Sequence, residues 1–422
     1  SAPGAAPEEA PARADGGEPA PTERGTRVVE TDGGLEARHT DTEINARIMN
    51  VDDLVAVAQI DLGKWEIASH RVNTWGTVTK DVENNPVVTR LWQVSATLQP
   101  RAIPLVPCDW PPPPVFVLPE ALSDAGVVRR AVVFPDMQIG FRWVGMASGT
   151  PWAEPYHDRA AIDAALQILA RIQPDDVILI GDNLDFQPLS TRWPSGDEAR
   201  QTTQLAIMEY RWLLWRIREI CPSARITYML GNHEARLVKY LDERAGELRH
   251  LTHADGRAAL SLGSFLGLEA LQITAYDYPK PFWLWDRVEV EHGRVVRQGG
   301  GSTAAAVLSR REHSVVYGHI HRRELAHRTV ETPAGNREIF AASPGCLCRA
   351  NGIVPGSDRP DWQQGVGLIT WIPGDDESID LIRIAAGRAV LGGEVLVGRD
   401  YAPELAAATG ATALLSHARS VA

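Results

Sequence analysis

The chain has 422 residues, 44% hydrophobic and 23% charged, which excludes a wholly disordered chain, a collagen-like repeat and a coiled coil, and predicts two or three domains. Its 42 Lys and Arg against 54 Asp and Glu give a formal net charge of −12, so the protein as a whole is a poor non-specific binder of nucleic acid unless a basic groove or bound cations hold the phosphate. Four cysteines (Cys108, Cys221, Cys346, Cys348) are too few for a disulfide framework. No apolar run reaches the roughly 18 residues of a membrane span, and the amino-terminal stretch lacks the apolar core of a secretory signal, so the expected location is the cytoplasm, that of the host if the protein is viral.

In chain order, residues 1–40 hold eight Asp and Glu and four Arg among many Ala, Pro and Gly. Such a stretch buries too little to offset its ordering entropy, and it reads as a disordered acidic arm. Residues 41–100 read as a small folded module. Asn50 and Asp53 mark a helix start, with Val51, Leu54, Val55 and Ala58 at helical spacing. Trp65–Ile67 and Leu91–Leu98 read as strands with a turn at Asn84-Asn85-Pro86. A helix and a strand pair fit a winged-helix-like α+β module, but five Lys and Arg against eight Asp and Glu are not the balance of a DNA-binding domain. Residues 101–127 read as a semi-rigid linker, eight prolines falling between 100 and 119.

From Val128 the pattern becomes strand, helix, strand, helix, strand. Ala131–Phe134, Val177–Ile180 and Ile226–Leu230 are short apolar strands, separated by amphipathic helices over 158–172 and 197–220 and followed by another over 234–241. Beyond about 270 the segments are short and strand-like, with one helical stretch near 303–311. Residues 373–422, one or two strands and an Ala-rich helix, read as a carboxy-terminal extension to a catalytic domain over 128–372.

The chemistry-bearing residues follow the strands. Asp136-Met137-Gln138 comes after the first, Gly181-Asp182-Asn183-Leu184-Asp185 after the second, and Gly231-Asn232-His233-Glu234 after the third. His292-Gly293 and Gly318-His319-Ile320-His321 come later. This is where an α/β sheet presents its functional edge. Taken singly, each has a bland reading: Asp136 as a helix cap, Asp182 as a turn residue, the GHIH histidines as surface groups. Taken together, carboxylate, amide and imidazole donors without thiolate suit Mn2+, Fe, Zn2+ or Mg2+. Cys346 and Cys348 have no second cysteine pair at zinc spacing and read as structural.

The order D-x-Q, GDNLD, GNHE, HG, GHIH resembles the calcineurin-like metallophosphoesterase superfamily over roughly residues 129–372, with a layout similar to phage-encoded members. Four of its five motifs match in full; Gln138 stands where the family usually has His. The resemblance implies a two-sheet α/β/β/α sandwich and a dinuclear centre. Asp136, Asp182, His321 and Gln138 would hold one ion, and Asp182, Asn232, His292 and His319 the other. Mn2+ is the first choice, with Fe, Zn2+, Mg2+ and Ni2+ as alternatives. His233 would bond the phosphate and protonate the leaving group, and Asp185 would orient a metal-ligating histidine. Two cations roughly 3.5–4 Å apart can clamp a phosphate and hold a hydroxide for in-line attack on phosphorus. Gln138, a weaker donor than imidazole, implies a looser site that favours Mn2+ or Mg2+ over Zn2+.

The remaining candidates are weaker. His157 is a further ligand or substrate contact, or else a loop residue beside a helix-capping Asp158. Arg236 and Arg322 are phosphate contacts or solvated arginines, and Trp152 and Trp193 are loop aromatics able to stack on a base. The expected activity is hydrolysis of a phosphoester, first a phosphodiester in DNA or RNA, with a phosphomonoester or cyclic nucleotide as alternative. A catalytically silent scaffold of the same fold is the competing expectation, for which Gln138 is the one feature in favour.

Overall fold

The computed structural model describes residues 25–31, 34–42, 47–62, 64–80, 83–100, 127–145, 152–191, 196–333, 335–355 and 361–410. Residues 1–24 of the expected arm, the linker over 101–126, Cys108, Trp193 and residues 411–422 lie outside these. The chain divides into two compact units, 1–104 and 105–422.

The first unit contains β1 (Gly25–Thr31), β2 (Gly34–Thr42), α1 (Val51–Val57), β3 (Trp65–Lys80) and β4 (Pro86–Pro100), its strands forming one antiparallel sheet in the order β1-β2-β4-β3. Asn50 caps α1 reciprocally: its Oδ1 accepts from Asp53 N at 2.9 Å, while Asp53 bonds back to the cap backbone. Leu54 of α1 packs with Ala37, Val94, Ala96 and Leu98 of the sheet. Two expectations are corrected here. Residues 25–31 and 34–40, assigned to a disordered arm, lie in strands. β1 is exposed throughout, so its order comes from backbone bonds to β2, which in turn pairs with Leu91–Leu98 and turns Ala37 into the core. The module is also not winged-helix-like: the described residues hold one two-turn helix on a four-stranded sheet.

In the second unit the chain runs through β5 (Arg129–Phe134), β6 (Phe141–Val144), β7 (Trp152–Pro155), α2 (Arg159–Ile172), β8 (Asp176–Leu179), α3 (Thr203–Ile220), β9 (Arg225–Met229), α4 (Ala235–Arg244), α5 (Gly246–Arg249), α6 (Leu262–Leu266) and β10 (Ile273–Tyr276). It continues through β11 (Phe282–Leu284), β12 (Val288–Glu291), α7 (Ser302–Leu308), β13 (Ser314–Tyr317), β14 (Arg323–Thr332), β15 (Gly335–Pro344), β16 (Gly365–Trp371), β17 (Glu377–Ala385), β18 (Arg388–Leu391), β19 (Glu394–Val397) and α8 (Ala402–Thr409). Eight strands form a mixed sheet, β10-β9-β8-β5-β16-β17-β18-β19, parallel from β10 to β5 and antiparallel beyond. Five form a second, β11-β12-β13-β15-β14, with β12, β13 and β15 parallel.

Period-two alternation explains why β5, β8 and β13 read as unbroken apolar runs. Val132, Phe134, Val177 and Leu179 face a core shared with α2 and α3, whereas Ala131, Val133, Ile178 and Ile180 face Val288, Val290, Val316 and Phe340 of the second sheet. On that sheet's far side Val315 and Tyr317 pack on Leu308 of α7. Strands buried on both faces have no polar side to show. Residues 373–422, read as an extension, are a correction where they are described: β17 to β19 continue the larger sheet, and Leu396, Tyr401 and Leu405 enter the core of α2 and α3.

Candidate metal centre

The loops leaving β5, β8 and β9 of one sheet and β12 and β13 of the other carry Asp136, Asp182, Asn232, His292, His319 and His321. Carboxylate and imidazole atoms of Asp182, His292 and His319 lie within 4.8 Å of one another, and so do those of Asp136, Asp182 and His321. Asp182 is common to both nests. His292 Nε2 is 3.2 Å from Asp182 Oδ2 and 3.1 Å from Asn232 Oδ1, while His321 Nε2 is 3.3 Å from Asp136 Oδ1 and 3.3 Å from Gln138 Nε2. All the expected ligands therefore come together.

The backbone is shaped for this convergence. Gln138, Asp182, His319 and His321 all have positive φ (47°, 48°, 71° and 56°) without being glycine, a strain that persists where the surroundings fix it, often at functional sites. A side chain on Gly181 (φ 102°) would strike His292, and one on Gly231 would strike Asp182. The first two loops are tied by Gln138 N to Asp182 O (2.9 Å) and Ile139 N to Asn183 O (2.8 Å). Both Asp136 oxygens accept from His319 N, at 3.0 and 3.1 Å, and Asp182 Oδ1 accepts from His233 N at 2.8 Å.

Glu234 was missed as a site residue. Its buried carboxylate accepts from the backbone N–H of Asp182 (3.0 Å), Asn183 (2.7 Å), Leu184 (3.1 Å) and Gly231 (2.8 Å), and from the Tyr228 hydroxyl (3.0 Å). It clamps the second loop to the third. The fourth letter of GNHE was its one sequence signal.

Electrostatics mark the same residues. Burial acts against the charge of Asp182, but His233 and His292 overcome it and hold the carboxyl far below its ordinary range. Burial likewise opposes a charge on His292, yet Asp182 lifts it to about 10. Nδ1 of His292 donates to Ile180 O at 3.1 Å, so the proton on Nε2 sits among Asp182 Oδ2 and Asn232 Oδ1, where a cation would replace it. His319 is pushed down by burial and by His292. The buried Gln138 Oε1 has no hydrogen-bond partner among the described residues, a debt that a cation beside His321 would settle. By donor type, geometry and this orphaned oxygen, these residue groups could hold a metal ion.

His233 Nδ1 donates to Asp185, whose carbonyl oxygen is at 2.9 Å and Oδ1 at 3.2 Å, and Arg236 Nη2 donates to His233 Nε2 at 3.0 Å. Burial works against a charge on His233, while Asp182 and Asp185 raise its pKa and Arg236 opposes them. Asp185 therefore orients His233 and not, as expected, a metal-ligating histidine, because the third loop brings His233 across it. Arg236 also donates to Asp185 O at 2.7 Å.

Two candidates are corrected. His157 Nε2 is 2.6 Å from Glu209, with both side chains fully buried, in a network where Arg159 binds both oxygens of the same carboxylate; it belongs to neither nest. Asp158 caps α2 through Ala161 N, as the alternative reading had it. Arg322 is taken up by Glu324 (2.8 Å), Asp361 (3.1 Å), Arg297 O (2.7 Å) and Thr303 Oγ1 (3.1 Å), so it braces a loop and is not available to phosphate. Trp152 lies in β7 against Val144. The aromatic rings that meet the nests are others: Trp362 stands edge-on to His321 at 4.1 Å between centroids, and Tyr278 to His292 at 6.0 Å.

The fold and site together define an α/β protein with several mixed and antiparallel sheets and with side-chain clusters at the strand ends that could hold a metal ion. Among curated proteins the chain is similar to the Gene 54 protein of Mycobacterium phage D29, 25% identical over 272 residues, and to the Gene 54 protein of Mycobacterium phage L5, 25% identical over 273 residues. Each alignment covers 63% of this chain and 98% of the relative. No protein-family model matches the chain. No helix among the described residues is long and apolar enough to cross a membrane.

Proposed function

We propose that the chain is a metal-dependent phosphoester hydrolase of the calcineurin-like metallophosphoesterase type, phage-encoded like its relatives and acting in the host cytoplasm. The observation that carries this reading is the pair of three-ligand nests sharing Asp182. Two divalent cations, Mn2+ first, would occupy them, one held by Asp136, Asp182, Gln138 and His321 and the other by Asp182, Asn232, His292 and His319. When bound, such a pair supplies the positive potential that an acidic protein lacks and lowers the pKa of water toward about 7.

The chain's own residues do the rest. His292 is fixed in its ligating tautomer by Ile180 O, and Asp136 is held by His319 N. His233, steadied at Nδ1 by Asp185, would turn Nε2 from Arg236, from which it accepts here, to a substrate oxygen, and in its protonated form would give a leaving alkoxide its proton. Arg236, beside that nitrogen, offers its guanidinium to a non-bridging phosphate oxygen. A phosphodiester is the favoured substrate, a nucleic acid first, with a monoester or cyclic nucleotide as runner-up.

The test is purified protein with Mn2+ on bis-nitrophenyl phosphate, nitrophenyl phosphate and single-stranded DNA. Hydrolysis of the diester, lost in Asp182→Ala, is expected. Activity on the monoester alone would end the nuclease reading, and an Asp182→Ala protein as active as the parent would end the hydrolase reading.

A further inference from the structure

Cys346 and Cys348 were expected to be structural because no second cysteine pair stands at zinc spacing. The tertiary structure supplies the missing ligand from elsewhere. One ligand atom each of His321, Cys346 and Cys348 lie within 4.8 Å of one another, and all three residues are buried. Cys348 Sγ is 3.8 Å from His321 Nδ1. In a tetrahedral site with Zn–N near 2.0 Å and Zn–S near 2.3 Å the two ligand atoms stand about 3.5 Å apart, so little movement is needed.

The thiols are also held in place. Cys346 N donates to Gln363 O at 3.1 Å, Cys346 O accepts from Gly365 N at 3.2 Å, Leu347 N donates to Asp136 O at 3.1 Å, and the Cys348 backbone pairs with that of His157. Cys346 Sγ makes long contacts to the Gln363 and Cys348 carbonyls, at 3.8 and 3.9 Å.

We propose that Cys346, Cys348 and His321 Nδ1 form a third cation nest, selective for a thiophilic divalent ion, and that filling it excludes a cation from the nest between Asp136 and His321. Binding is balanced without a co-reactant: the ion arrives, two S–H bonds each release a proton to solvent, and two S–metal bonds form, leaving the nest neutral. The exclusion follows from imidazole chemistry. A neutral ring has one lone pair. If Nδ1 gives it to the sulfur-bearing nest, the ring proton moves to Nε2, which is 3.3 Å from Asp136 Oδ1 and then donates there instead of ligating. Oxygen-rich donors favour Mn2+ and Mg2+, and thiolates favour Zn2+ and Cd2+, so His321 turns toward whichever class of ion is present. The binding half rests on its own geometry; the exclusion rests on the reading of His321 as a ligand of the hydrolytic pair.

The experiment is titration of the chelator-stripped full chain with Cd2+, following the ultraviolet thiolate-to-cadmium charge-transfer band. The band is expected to saturate at one equivalent, to persist in Cys108→Ser/Cys221→Ser and to vanish in Cys346→Ser/Cys348→Ser. Its absence from the parent, or its survival in the latter variant, overturns the nest. Should that variant fail to fold by circular dichroism, Cys346→Ala and Cys348→Ala singly are each expected to weaken Cd2+ binding at least tenfold, and parental affinity in both overturns it. A second arm follows bound Mn2+ by electron paramagnetic resonance. One equivalent of Cd2+ is expected to release Mn2+ from the parent and not from Cys346→Ser/Cys348→Ser. Equal release from both overturns the exclusion while the thiol nest stands, and a parent that binds no Mn2+ overturns the exclusion together with the Mn2+ reading of the Asp182 nests, the thiol nest again standing on the first arm.

Discussion

At the scale of single residues, Gln138 and Glu234 do opposite things with a side-chain oxygen. Gln138 leaves its Oε1 buried without a partner among the described residues, and an amide is a weaker donor than imidazole. Gln138→His is therefore expected to tighten binding of one cation about tenfold and to shift preference toward Zn2+, read by isothermal titration with Mn2+ and Zn2+; identical affinities would count against a ligand role. Glu234 instead accepts from four backbone N–H groups and a tyrosine. Glu234→Gln would turn an N–H2 toward some of those donors, and a loss of about 3 kcal/mol in denaturant unfolding is expected, as for other buried charge-assisted networks.

Glu209 gives the pH prediction. Burial opposes its charge, but Arg159 and His157 hold its pKa well below the ordinary range. A depressed folded pKa contributes stability that is complete above the unfolded value of about 4.3 and is lost as pH falls from there toward the folded value. Glu209→Gln is expected to cost about 3–5 kcal/mol at pH 7, because it removes the buried carboxylate that Arg159 bonds at both oxygens and leaves the more distant Asp400, at 3.8 Å, as a weaker charge partner. The gap between parent and variant is expected to shrink in melts run below pH 4. A gap that does not change with pH would mean that the pair contributes nothing electrostatic.

At the scale of elements, the turn between α3 and β9 is closed by a side chain. Arg218, fully buried, donates to the carbonyls of Leu271 (3.0 Å), Cys221 (3.3 Å), Pro222 (3.3 Å), Ala224 (2.7 Å) and Gln272 (3.1 Å). It caps a helix end and ties the segment before β10 to it, satisfying carbonyls that no strand can reach. Arg218→Met keeps the volume and removes every donor, so about 3–5 kcal/mol of destabilisation is expected, together with early amide exchange in β10, measured by hydrogen exchange. The elements themselves were legible where the pattern was strong. Ala131–Phe134 and Val177–Ile180 announced strands buried on both faces, and Asp158 announced the start of α2. β1 was not legible, because an exposed strand is held by its partner's backbone and leaves little trace in its own side chains.

At the scale of the whole molecule, the chain divides at Pro104 and Leu105. Because the nests and both large sheets lie in the second unit, a chain beginning at Leu105 is expected to bind Mn2+ with the affinity of the full chain and to melt within a few degrees of it. Loss of binding would show that the first unit supports the site. That the sheet runs on through β17, β18 and β19 also means that truncation at 372 would strip the core of Leu396, Tyr401 and Leu405. The protein would then be expected not to fold.

The sequence by itself determined the identities and order of the candidate ligands: Asp136, Gln138, Asp182 and Asn232 follow strands whose apolar runs are readable locally, and His292, His319 and His321 fall among the later, short strand-like segments; a strand end in an α/β sheet is where such residues are useful. It determined the capping of α1 and α2 for the same reason, since a cap is a contact between near neighbours. Only the tertiary structure decided what depends on contacts far apart in the chain. It gave Arg322 to Glu324 and Asp361, sent His157 to Glu209, paired Asp185 with His233, and set two cysteines beside His321. A side chain's chemistry is written in its own residue, but its partner is chosen by the packing of segments whose separation along the chain says nothing of their distance in space.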